Sequence, residues 1–65
     1  MQLNINGDIR EMEAGTIGQV LVKLGLEKTA CAVELNRTLI PARERTDHRL
    51  KDGDILEIVT LVGGG

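Results

Sequence analysis

Lys51-Asp52-Gly53-Asp54-Ile55-Leu56-Glu57-Ile58-Val59-Thr60-Leu61-Val62-Gly63-Gly64-Gly65 is the stretch on which the architecture turns. Lys51 to Asp54 has the polar and glycine content of a tight turn. Ile55 to Val62, interrupted only by Glu57 and Thr60, is the most apolar run in the chain and reads as a strand. With Glu57 in water, the two-residue period sends Leu56 and Ile58 to the core and leaves Val59 and Leu61 on the outer face beside Glu57. An exposed aliphatic pair there suggests a patch for docking a partner. Single apolar residues on a surface are ordinary, however, and a central strand covered on both faces would equally account for Val59.

Three glycines follow the strand. Lacking Cβ atoms they pack, cap and coordinate nothing, so the reactive group they present is the terminal carboxylate of Gly65, ionised at neutral pH. Extended at about 3.5 Å per residue, Gly63 to Gly65 would carry that group roughly 10 Å past the last strand residue. Gly63 and Gly64 are thin enough to thread a narrow enzyme channel. The expected organisation is one domain over 1–62 and a flexible tail over 63–65; a frayed end or an expression scar has the same composition.

Upstream of this strand the pattern supplies its neighbours. Met1, Leu3 and Ile5 alternate with Gln2 and Asn4, as in a half-buried strand, and Asn6-Gly7 is the strongest short hairpin signal, so Asp8 to Met12 should return as a second strand. Thr16 and Gln19 have capping-box spacing. Ile17, Val20, Leu21 and Leu24 then form one apolar helical stripe, closed by Gly25 with Leu26 folding back. Gly18 inside this helix costs about 1 kcal/mol relative to Ala, so packing must hold it. Cys31, Val33 and Leu35 alternate with Ala32 and Glu34 as a third strand, Asn36-Arg37 turns the chain, and Thr38 to Ile40 form a short strand stopped by Pro41. Ala42 to Leu50 is a polar connection with room for one helical turn. The first and last strands must lie side by side and parallel to close one layer under one helix. The fold class is α+β, two layers, with a mixed sheet of about five strands packed on one helix.

Composition narrows the chemistry. Sixty-five residues make one domain near the lower limit of independent folding, with a core drawn from nine Leu, six Ile and five Val. The absence of Phe, Tyr and Trp, with a net charge of −2, removes the stacking platforms and basic groove of a nucleic-acid binder. No apolar run approaches the roughly 18 residues of a membrane span and no signal peptide is evident. One cysteine makes no internal disulfide and, with one histidine, no zinc site, which suits a reducing cytoplasm. The chain has no serine for a nucleophile and no paired carboxylates for acid–base work. Cys31 alternates with inward Val33 and Leu35 and reads as a buried thiol rather than a nucleophile. His48, among Arg43, Arg45, Arg49 and Lys51, could join a basic docking surface, but Glu44, Asp47 and Asp52 interleave as in a solvated mixed-charge loop.

The Asn6-Gly7 hairpin, the helix, Val33-Glu34-Leu35-Asn36, Ile40-Pro41, Asp52-Gly53-Asp54 and the terminal glycines together resemble a ubiquitin-like β-grasp protein, and more narrowly the ThiS family of sulfur carriers in thiamine biosynthesis. The resemblance spans all 65 residues. Its most specific parts are Val33 to Asn36 with Ile40-Pro41, and the ending Glu57 to Gly65. It departs at Arg45, near where many relatives carry Trp, and in the spacing of Pro41-Ala42-Arg43. The resemblance implies a protein cosubstrate with no catalytic residue, metal or bound cofactor of its own. A ThiF-type adenylyltransferase would use ATP to adenylate Gly65. Sulfur from a donor charged by a cysteine desulfurase would then leave a thiocarboxylate on Gly65, and thiazole synthase (ThiG) would accept that sulfur.

Two other classes share parts of the pattern. Carriers for molybdopterin synthesis are usually longer and end in a Gly-Gly pair. Regulatory β-grasp modules of the TGS type share Asn36, Asp52-Gly53-Asp54 and the following Ile-Val-Thr, but have no reason for a free Gly-Gly-Gly end.

Overall fold

A computed structural model describes residues 1–61; residues 62–65, and with them the expectations for Val62, Gly63, Gly64 and Gly65, lie outside the described residues. Gln2–Ile5 (β1) and Asp8–Glu11 (β2) form the first hairpin, and Ile17–Lys23 (α1) crosses to Cys31–Leu35 (β3). Thr38–Leu39 (β4) pairs back on β3, Ala42–Arg45 (α2) is the single helical turn of the polar connection, and Ile55–Thr60 (β5) returns through the sheet. The five strands lie in the order β2-β1-β5-β3-β4. β5 runs parallel to β1 and antiparallel to β3, as closure of the single layer required.

The helix begins where its capping residues place it. Gln19 N donates to Thr16 Oγ1 at 3.2 Å while Gln19 Oε1 accepts from Thr16 N at 3.1 Å, and the free amide of Ile17 donates to the His48 carbonyl at 3.0 Å. At the other end Gly25, at φ +74°, lets Leu26 N reach the Leu21 carbonyl at 2.8 Å and Gly25 N reach Val22 at 3.0 Å, a Schellman closure. Seven residues are too few for a stable isolated helix, so α1 is held by what it buries. Ile17, Val20 and Leu21 pack with Leu3, Ile5, Val33, Leu56 and Ile58 in the core. Leu3, Ile17, Val20, Val33 and Leu56 are fully buried, each contributing about 1.5–3 kcal/mol of transfer free energy.

Gly18 has a cause that helix propensity does not supply. A Cβ there would stand 3.0 Å from both Cα and O of Thr46, so the small residue lets the loop after α2 lie against the helix. Three strand ends fall short of the expected bounds, and in each the backbone bonding outlasts the strand. Met12 N still donates to Met1 O at 2.8 Å, Ile40 N to Val33 O at 2.9 Å, and Leu61 N, beyond the end of β5 at Thr60, to Ala30 O at 2.8 Å.

Candidate functional site

The last strand is the element that leads to the terminal glycines, and three polar side chains fix it in place. At Asn6 the chain turns with φ +52°, and its carboxamide reaches across to β5, Oδ1 accepting from Ile58 N at 2.8 Å and Nδ2 donating to Ile58 O at 3.1 Å. The side chain thus takes over the ladder where β1 ends. On the other flank Asn36, at φ +48°, accepts from Ile55 N through Oδ1 at 3.0 Å and donates through Nδ2 to Asp54 Oδ1 at 3.0 Å. Asp54 is the one buried charged residue among those described. Its Oδ2 accepts from Lys51 N at 2.7 Å, and its carbonyl accepts from Asn4 N at 3.0 Å. The turn before β5 therefore joins the starts of β1 and β5 to the β3–β4 hairpin. Asp52 adds a bond from Gln2 N at 2.6 Å.

β5 is central in the sheet yet covered on one face only. Leu56 and Ile58 are buried under α1, whereas Val59 is 60% exposed and Leu61 57% exposed, which rules out the alternative of a strand covered on both sides. Ile55, 49% exposed, belongs to the same face and was not singled out from the sequence, although it stands two residues before Glu57 and the same alternation would have found it. Leu39 of β4 and Ile9 of β2 extend the apolar face sideways. Between them the register sets Glu34 directly opposite Glu57.

The remaining candidates scatter. Cys31 is buried in the core, and Arg45, grouped by sequence with a basic surface, turns inward instead: Nη2 donates to Cys31 O at 2.8 Å and Nη1 lies 3.7 Å from Cys31 Sγ. A guanidinium committed to the end of β3 is not a free docking charge. His48 is half-buried and bonded through its backbone to Ile17 and Arg45. An open groove of about 850 Å³ beside α1 is lined in part by Glu13, Lys23, Glu27 and Asp47, charges of both signs. Among the described residues no group of three or more His, Cys, Asp or Glu side chains could hold a metal ion, and no helix is long and apolar enough to cross a membrane.

A mixed sheet in this order, one capped helix on one face, and a central strand running out toward glycines define a ubiquitin-like β-grasp protein. The model of the ThiS family matches residues 3–65. The chain belongs to the ThiS family. It is 39% identical over 61 residues to the sulfur carrier protein ThiS of Thermus thermophilus, covering 94% of this chain and 95% of that one. It is 37% identical to the sulfur carrier protein ThiS of Bacillus subtilis over 65 residues, covering 97% and 98%. A thiazole synthase of Paramagnetospirillum magneticum is 39% identical over 66 residues, which take in 100% of this chain but 20% of the synthase. Among solved structures, the thiamine biosynthesis protein ThiS of Geobacter metallireducens superposes with a TM-score of 0.82 at 26% identity, covering 100% of both chains.

Proposed function

We propose that this chain is a sulfur carrier for formation of the thiazole moiety of thiamine, and that Gly65 carries the sulfur. The observation that bears most weight is the match of the family along nearly the whole chain, to Gly65 itself. Relatives named as sulfur carriers match it almost end to end. The thiazole synthase that contains a similar segment supports thiazole synthase as the acceptor.

The chemistry asks little of the folded domain. A carboxylate is a poor electrophile, so an adenylyltransferase of the ThiF type would transfer AMP from ATP to the Gly65 carboxylate and release pyrophosphate. Hydrosulfide, released by a thiol reductant from the persulfide that a cysteine desulfurase makes, attacks the acyl carbon and AMP leaves, giving a thiocarboxylate. When thiazole synthase takes the sulfur, an oxygen from water or from the acceptor substrate takes its place on the acyl carbon and the Gly65 carboxylate is restored. In this cycle the carrier is a cosubstrate, not an enzyme, and holds no cofactor. Gly63 and Gly64 give access to the activating site, and Val59 and Leu61 serve as the docking patch. The buried free thiol of Cys31 suits a cytoplasmic protein.

The test is an intact mass after incubation with a ThiF-type adenylyltransferase, ATP and a sulfide source. The expected gain is one oxygen replaced by one sulfur, absent from a chain lacking Gly65. No gain with an adenylyltransferase active on its own carrier would overturn the assignment.

A further inference from the structure

We infer that Glu34 and Glu57, opposed across β3 and β5, form an electrostatic docking element that engages a basic patch on thiazole synthase; the inference rests on the carrier reading above. Residues directly opposite on neighbouring antiparallel strands bring their Cβ atoms to about 5 Å, and like charges at that spacing destabilise the sheet. Neither carboxylate makes an ion pair or a side-chain hydrogen bond among the described residues. The nearest cations, Arg37 at the β3–β4 turn and the terminal ammonium at the margin, form no ion pair with either of them. Leu39 is opposite Glu34 on its other side, Ala32 and Val59 form the next outward row, and Ile55 precedes Glu57. At the margin Glu11 adds a third carboxylate, paired with the terminal ammonium at 3.2 Å. Arg37 lines a depression with Glu57, yet makes no ion pair with it.

An apolar face centred on two carboxylates without ion-pair partners, Glu57 exposed and Glu34 half-buried, selects its occupant by charge. A second copy would set carboxylates against carboxylates, and an anionic lipid surface would be repelled. A protein face bearing an arginine or lysine within an apolar surround turns the repulsion between Glu34 and Glu57 into attraction to a shared cation. Thiazole synthase is the occupant proposed because a segment similar to this whole chain lies within one such synthase, where carrier-like and catalytic parts share a polypeptide. The stability and binding consequences then have opposite signs, which separates docking from a structural role.

The experiment is calorimetric titration of purified thiazole synthase with the full-length wild-type carrier, E34Q, E57Q, the double variant, and E27Q as a control for net charge. Glu27 is exposed, on the loop beyond α1. We expect each single variant to weaken binding about three- to tenfold and the double variant more, with a flatter dependence of affinity on salt, because the removed charges are the screened ones. Thermal midpoints should equal or exceed wild type, and E27Q should bind as wild type does. The inference is overturned if the double variant binds like wild type, if E27Q weakens binding equally, or if only binding to the adenylyltransferase suffers. A wild-type chain that gains sulfur mass but does not bind thiazole synthase overturns this inference alone; one that does neither overturns the carrier reading with it.

Discussion

Asn36 Nδ2 donates to Asp54 Oδ1 at 3.0 Å, a contact that ties the β3–β4 turn to the turn entering the last strand. Through Asp54 the bond continues to Lys51 N, and through Asn36 Oδ1 to Ile55 N. Replacing Asp54 with Ala removes both acceptors, so that the Lys51 amide and the Asn36 carboxamide lose a partner that is itself buried. The expected loss is about 2–3 kcal/mol, from two hydrogen bonds to a charged acceptor. Urea unfolding followed by circular dichroism measures it, and a change below the error of the method would contradict the central role given to this turn.

Asn6 bonds both backbone groups of Ile58. Asn6→Gly keeps the positive φ accessible and removes only the carboxamide, for an expected cost of about 1–2 kcal/mol. Hydrogen exchange gives the sharper readout, since the Ile58 amide should lose protection before the amides of β3 do.

Arg37 sits at φ +72° in the second position of its turn, where a side chain is strained and glycine is not. Arg37→Gly should stabilise the protein by up to about 1 kcal/mol once the greater freedom of the unfolded chain is subtracted. An unchanged or lower thermal midpoint would show that the arginine side chain contributes contacts that offset its backbone strain.

Gly18→Ala sets two effects against each other. Helix propensity favours alanine by about 1 kcal/mol. The new Cβ would meet backbone of Thr46 at 3.0 Å, in a loop pinned by bonds from Ile17 N to His48 O and from Leu50 N to Gly15 O. Overpacking against backbone that cannot retreat costs about 1–3 kcal/mol, so net destabilisation is expected in a thermal melt.

Gly65→Ala should leave the melting curve unchanged and, if the proposed carrier cycle holds, sharply reduce formation of the sulfur-charged species, because a methyl group would enter the channel of the activating enzyme. Intact mass spectrometry of the charging reaction reads the outcome. Full charging would remove the steric argument for glycine at this position.

The elements that sequence revealed are those encoded locally. Asn6-Gly7 marked the first hairpin, Thr16 and Gln19 the start of α1, Gly25 its end, and the alternation through Leu56 and Ile58 the buried face of β5. What stayed hidden depends on partners far along the chain. Asn6 looked like a turn residue, yet its side chain acts 52 positions away, and Asn36 reaches 18 positions to Asp54. Asp54 itself read as part of a common turn, because nothing local distinguishes a buried carboxylate from a solvated one. Arg45 has the sequence neighbours of a surface charge, and its inward path to Cys31 follows from how the loop folds back. Likewise Glu34 and Glu57 show no relation until the β3–β5 register brings them opposite each other. The glycines whose chemistry sequence reading emphasised lie outside the described residues.

The position of β5 has a mechanical consequence. A pull on Leu61 along the axis of β5 is resisted in shear on both flanks: by the ladder with β3, the shorter one with β1, and the Asn6 carboxamide locked onto Ile58. These bonds lie across the direction of force and are loaded together, so the strand cannot be peeled away one bond at a time. A force on the end of β5 therefore meets the sheet as a whole, and the fold yields all at once or not at all.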